Sequence, residues 1–181
     1  GEKFIDQIHQ QKKFLKDNLK INLRVIALSN SRKMHFDEEG ISLKEWQFAL
    51  ETGEPTDKEK FISNVKELNL RNSIFVDITA NESVSKTYEH YLKRNIAVVT
   101  CNKIACASAY DNYTKLKKLS RQFNAPFLFE TNVGAGLPII DTVKNLVASG
   151  DKVNKIQAVL SGSLNFISNN FDEKNTFHDV V

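Results

Sequence analysis

The amino-acid sequence predicts an α/β fold: a parallel sheet with helices on both faces, followed by the start of an α+β domain. Three observations predict it. Short runs that are apolar throughout, such as Ile96-Ala97-Val98-Val99, alternate with longer runs of helical periodicity, the pattern of strands covered on both faces. Those apolar runs end in small and polar residues, where open parallel sheets bind ligands. After Gly150 the pattern changes to the alternation of Lys155-Ile156-Gln157-Ala158-Val159-Leu160, which reads as a strand with one exposed face.

The elements follow in order. Phe4, Ile5, Ile8, Phe14, Leu15 and Leu19 form one apolar stripe, so residues 2–20 are predicted helical. Residues 23–28 read as a strand that runs into Ser29-Asn30-Ser31-Arg32-Lys33. Ser42 with Glu45, and Thr56 with Glu59, match the capping-box spacing and open two more helices. Residues 73–79 form the next strand, 82–94 a helix, 96–100 a strand, and 109–123 a helix with Ser108 as its cap. Pro126-Phe127-Leu128-Phe129 is a buried strand leading into Glu130-Thr131-Asn132-Val133-Gly134-Ala135-Gly136-Leu137-Pro138. Pro138 suits the first turn of the helix that ends at Gly150, and a last helix runs through Leu164, Phe166, Ile167 and Phe171.

Composition narrows the function. At 181 residues and 41% hydrophobic content the chain is long enough for a real core in one or two domains. Its apolar runs are too short to span a bilayer and no secretory signal opens it, so a cytoplasmic protein is expected, without a membrane partner. Lys and Arg total 25 against 22 acids and are scattered, which argues against a nucleic-acid partner. Cys101 and Cys106 are its two cysteines, and such sparse use fits free thiols. The four histidines have no metal-ligand spacing, and neither Cys-x-x-Cys nor a Walker glycine-lysine motif occurs.

Four loops stand at predicted carboxyl ends of strands: Ser29 to Lys33, Thr79-Ala80, Thr100 to Lys103, and the glycine-rich loop. The first lacks the acid that would hold the ribose hydroxyls of NAD; Ser31, Arg32 and Lys33 instead suit a 2′-phosphate and hence NADP, or else form an ordinary basic loop. Lys103, beside Asn102, could place a charge or proton donor next to a bound carbonyl, or be a solvated surface lysine. The carbonyls of Val133, Ala135 and Leu137 could converge on a monovalent cation, with tight strand-to-helix packing as the alternative. Glu130 is the acid beside that loop, and a backbone cap is its plainer role.

Thr100-Cys101-Asn102-Lys103, the Asn132-Val133-Gly134-Ala135-Gly136-Leu137-Pro138 block and Leu160-Ser161-Gly162-Ser163-Leu164-Asn165 together resemble homoserine dehydrogenase. The helix before Leu23, the loop at Asn30 to Lys33 and the Trp46 region resemble the form fused to aspartokinase. The resemblance implies NADP- or NAD-dependent interconversion of aspartate semialdehyde and homoserine, on the route to threonine and methionine. It implies a Rossmann-like cofactor domain over 1–133, lacking its first strand and most of its glycine-rich turn, and the start of a substrate and dimerisation domain over 134–181. Asn30, Ser31, Arg32, Lys33, Thr79, Ala80, Asn102 and Lys103 would bind the cofactor, with Lys103 at the reaction centre. Glu130, Val133, Ala135 and Leu137 would hold a sodium-type ion through backbone oxygens, and Gly162 would lie at the domain junction.

The expected partners are the small-molecule substrate and further copies of the chain, through the second domain. Two departures affect loop shape: Cys101 stands where the family usually has Pro, and Ile104 where it often has a second Lys. The family's G-Y-x-E-P-D-P and D-x-x-x-K region is absent from these residues, so the expectation is a truncated dehydrogenase, inactive by itself. The alternatives are another NADP-linked oxidoreductase of the same fold and a non-enzymatic dimerising module.

Overall fold

The structure, a computed structural model, describes residues 1–171 and 176–180. It divides into two compact units, Gly1–Ser73 and Ile74–Val181.

The first unit opens with α1 (Glu2–Leu19), which buries Ile5 and Ile8 and stops where Lys20 turns left-handed at φ 57°. Next come β1 (Ala27–Ser29), β2 (Lys33–Phe36), α2 (Trp46–Glu51), β3 (Glu54–Pro55) and α3 (Lys58–Leu68). The three strands form an antiparallel sheet in the order β1-β2-β3, with Leu28 opposite His35 and Met34 opposite Glu54. Met34, Ile41, Leu50 and Ile62 fill the core, and Phe36 packs on Phe61 with ring centroids 4.8 Å apart.

This sheet corrects the expectation that the strand predicted at 23–28 belongs to a parallel sheet. Asn30 causes the difference: its Oδ1 accepts the backbone N–H groups of Arg32 at 2.7 Å and Lys33 at 2.8 Å. That local bond closes a turn and sends the chain back antiparallel. The predicted caps also shift. Asp57 is the N-cap of α3 and accepts from the Lys60 amide, while the Thr56 hydroxyl donates to the Asn30 carbonyl. Helix α2 starts after Glu45 with no side-chain cap, so the box at Ser42 does not form.

The second unit begins β4 (Ile74–Asp77), α4 (Glu82–Ser85), α5 (Tyr88–Leu92), β5 (Ala97–Thr100), α6 (Ile104–Ala107), α7 (Tyr110–Gln122) and β6 (Phe127–Leu128). A 3₁₀ turn at Glu130–Asn132 then leads to α8 (Ile139–Ala148), α9 (Gly162–Asn170) and α10 (Phe177–Val180). β4, β5 and β6 pair in parallel, with Val76 opposite Val99 and Val98 opposite Phe127. The α/β class holds, with a three-stranded parallel sheet.

Its core is aromatic and aliphatic: Tyr88, Tyr91, Leu92, Val98 and Phe127 are buried, each apolar side chain contributing about 1.5–3 kcal/mol. Phe75 stacks on Tyr91 at 4.0 Å.

Three predictions for this unit are revised. The helix expected over 82–94 is broken, because Ser85 and Thr87 turn their hydroxyls back onto the carbonyls of Glu82 and Val84 and compete with the helical ladder. Ser108 does not cap α7, which starts after Ala109; its hydroxyl donates to the Ala105 carbonyl and accepts from Asn112 Nδ2. The strand expected at 155–160 is absent, since those residues are exposed and no described strand pairs with them; alternation supplies a face but not a hydrogen-bonding neighbour.

Candidate functional site

Because β4, β5 and β6 are adjacent and parallel, the loops after them emerge along one edge of the sheet. Those loops hold Thr79-Ala80, Asn102-Lys103 and the glycine-rich segment. A crevice beyond the carboxyl ends of parallel strands is where such sheets bind ligands.

The ends of β4 and β5 are joined beneath the surface. Asp77, 1% exposed, accepts the Thr79 amide on Oδ1 at 2.8 Å. Its Oδ2 accepts the Tyr88 hydroxyl at 2.6 Å and Asn102 Nδ2 at 3.0 Å. Burial pushes the Tyr88 phenol well above its usual range and Asp77 adds to that, so the hydroxyl keeps the proton it donates. The Asn102 amide N–H donates to Thr100 Oγ1 at 2.9 Å, and its side-chain Oδ1 accepts the Ile104 amide at 3.1 Å.

Above this layer Thr79, Ala80 and Lys103 are exposed. The Lys103 ammonium has no ion-pair partner among the described residues. Asn81 caps α4 by accepting the Ser83 amide at 2.8 Å.

The glycine-rich loop is shaped by its backbone. Gly134 has φ +73°, and a Cβ there would lie 2.1 Å from Ile139 Cδ1; Ala135 follows at φ 53°. Glu130 caps the backbone with its carboxylate, which accepts the amides of Ile140 at 2.9 Å and Asp141 at 2.8 Å at the start of α8. That placement suits the positive end of a helix.

The Glu130 carbonyl accepts from Val133 N–H at 3.4 Å and the Leu137 carbonyl from Ile139 N–H at 2.9 Å. Among the described residues no donor reaches the carbonyls of Val133 and Ala135. Of the four candidate cation groups, those two carbonyls are therefore open. Asn132 ties this loop to the end of β5, its side-chain amide lying within hydrogen-bond reach of the Thr100, Cys101 and Asn102 carbonyls.

The fourth candidate loop lies in the first unit. Ser31 and Arg32 are exposed at the hairpin turn, while Lys33 starts β2 and donates through Nζ to the Gly53 carbonyl at 2.8 Å. Both cysteines are free and half-buried, and burial raises the Cys106 thiol. No described helix is long and apolar enough to cross a membrane.

Asp77 and Tyr88 are the residues that sequence reasoning missed, while Thr100 is named there only as part of a strand-end motif, without a role of its own. The available signal was an acid at the end of an apolar strand, since a buried carboxylate demands partners.

A family model for the homoserine dehydrogenase NAD-binding domain matches residues 1–130, and the homoserine dehydrogenase model matches residues 138–181. A chloroplastic bifunctional aspartokinase/homoserine dehydrogenase of Zea mays is 39% identical over all of this chain, which covers 20% of that protein. The homoserine dehydrogenase of Schizosaccharomyces pombe is 31% identical over 93% of the chain and is 46% covered by it. The solved structure of a hyperthermophilic archaeal homoserine dehydrogenase in complex with NADPH superimposes with a TM-score of 0.78 at 26% identity, over 99% of this chain and 55% of that one. The chain thus spans between a fifth and just over half of these relatives. Matches that run unbroken through both strand-end loops, and resume just past the glycines, leave a single assignment: the chain belongs to the homoserine dehydrogenase family.

Proposed function

We propose that this chain forms the cofactor side of an enzyme that interconverts aspartate semialdehyde and homoserine with NADPH, in threonine and methionine synthesis. The observation that carries the reading is the parallel-sheet edge, where Thr79, Ala80 and Lys103 are exposed over a buried layer that fixes them, within residues matched by an NAD-binding family model. A reduced nicotinamide, if held there, would supply the hydride for the aldehyde carbon. Thr79 and Ala80 would hold and orient its ring end, with Asn102 contributing from the buried layer that fixes their loops. Lys103 offers positive charge to the oxygen that becomes an alkoxide, a stabilisation that grows toward the transition state. Ser31 and Arg32, exposed at the turn that Asn30 closes, would meet a 2′-phosphate, with Lys33 adding positive charge from the start of β2 where its Nζ also holds the Gly53 carbonyl, a reading that favours NADP over NAD.

The division at 1–133 and 134–181 is retained as the functional one: cofactor domain, then the start of the substrate and oligomer domain. Exposed Ile156, Val159, Leu164 and Phe166 in the latter support association with further copies through it, detectable by light scattering. A cytoplasmic setting is part of this reading, although the Zea mays relative is chloroplastic.

The glycine-rich loop is assigned a sodium-type ion, held by the Val133 and Ala135 carbonyls, with Leu137 and Glu130 contributing their remaining lone pairs. Melting temperature in sodium chloride, compared with an equal concentration of a bulky organic-cation chloride, tests this; equal values contradict it.

The functional test is NADPH oxidation by the full-length gene product. Turnover of aspartate semialdehyde, with NADPH preferred to NADH, is expected; turnover of some other aldehyde alone would point to a different oxidoreductase.

A further inference from the structure

A buried carboxylate without a cation beside it is costly to keep, and its hydrogen bonds are what offset that cost. Asp77 has three such bonds and no Lys or Arg ion-pair partner among the described residues. The bonds reach across two loops. One goes to the loop after its own strand, at the Thr79 amide. Another goes to the loop after the neighbouring strand, at Asn102 Nδ2. The third comes from Tyr88, whose oxygen lies 2.8 Å from Thr100 Oγ1 at the end of that same neighbouring strand.

Asn102, 2% exposed, extends the bridge: its Nδ2 also donates to the Asn81 carbonyl at 3.1 Å, back in the first loop, and its Oδ1 accepts the Ile104 amide. Lys103 therefore stands between two residues anchored to one network, and Thr79 is anchored to the same carboxylate.

We propose that Asp77 is a positioning residue, setting the separation and orientation of Thr79 and Lys103 by tying both loops to one buried carboxylate. This rests on reading those loops as the nicotinamide site. Parallel strands fix where loops start, but not where their second and third residues point. A misplacement of about 1 Å in a reacting group costs about 100-fold in rate, so such a tie has a function beyond stability.

Asp77→Asn in the full-length protein separates the roles. It conserves volume, but in either amide orientation an NH₂ faces a donor, either the Thr79 amide or Asn102 Nδ2. With NADPH and aspartate semialdehyde, kcat is expected to fall about 100-fold while the aldehyde KM stays within about twofold. In a Lys103→Ala background Asp77→Asn is expected to cost less than about twofold more, because coupled sites are not additive.

A second readout does not depend on activity: the Thr79 and Ile104 amides should exchange hydrogen about tenfold faster or more, with α7 amides unchanged. Losses from positions 77 and 103 that multiply, or unchanged exchange at both amides, would overturn the proposal. If the wild type does not turn over aspartate semialdehyde, the functional reading fails, yet exchange still decides the positioning. If Asp77→Asn does not fold, Tyr88→Phe replaces it, with smaller changes of the same sign expected and unchanged exchange counting against the proposal.

Discussion

Gly53 lies so close to β2 that an added Cβ would be 2.3 Å from the Met34 carbonyl oxygen and 3.1 Å from that of Leu50. Both are backbone atoms, so no rotamer change relieves the contact. Gly53→Ala is expected to destabilise by about 1–3 kcal/mol, the range for forced overpacking. A methyl group added at Gly136 would meet no heavy atom within 4 Å, and Gly136→Ala should stay within about 0.5 kcal/mol. Denaturant unfolding of the two variants checks this pair, and equal effects would contradict it. The amino-acid sequence marks Thr52-Gly53-Glu54-Pro55 only as a linker-like passage, whereas Glu54–Pro55 is β3, and the need for glycine at Gly53 comes from a strand 19 residues earlier in the chain. Asp77 escapes for a related reason: its strand is legible by apolar content, and the partners that make its burial tolerable lie on α5 and after β5. Lys103 is legible because a lysine at a strand end is a local feature.

At the scale of elements, α5 is fastened to α7 by charge as well as by packing. Glu89 pairs with Lys93 just past the end of α5 and with Lys115 on α7, and these contacts hold its carboxyl down at about 2. The folded value lies below the ordinary one, so the stabilisation is present above about pH 4.5 and is lost as pH falls from there toward 2. Because the pair is partly exposed, its size is about 1 kcal/mol or less. Glu89→Gln should remove that much stability at neutral pH and flatten the acid limb of the stability curve between about pH 4.5 and 2. An unchanged acid limb in the variant would refute the pairing. Element type is readable wherever a local period sets it, as in α1, α3, α7 and β5. It is misread where a hydroxyl or amide side chain competes with the backbone, as Asn30 does in making a hairpin and Thr87 in breaking a helix. The expected strand at 155–160 fails differently, since pairing requires a neighbour that alternation does not specify.

For the whole molecule, family membership is legible in three short motifs, at residues 100–103, 130–138 and 160–165, which lie mostly in loops and helix starts. The sheet beneath them is less so: its parallel part has three strands, and the strand expected before it pairs in an antiparallel sheet instead. The functional reading depends on the parallel part, where exposed groups stand over a buried hydrogen-bonded layer. The decisive experiment compares the full-length protein with its Lys103→Ala variant in NADPH oxidation by aspartate semialdehyde. The wild type should turn over, and the variant should lose about 100-fold or more in kcat while folding normally. A wild type inactive on this aldehyde, or a variant as active as the wild type, would contradict the assignment of the strand-end loops.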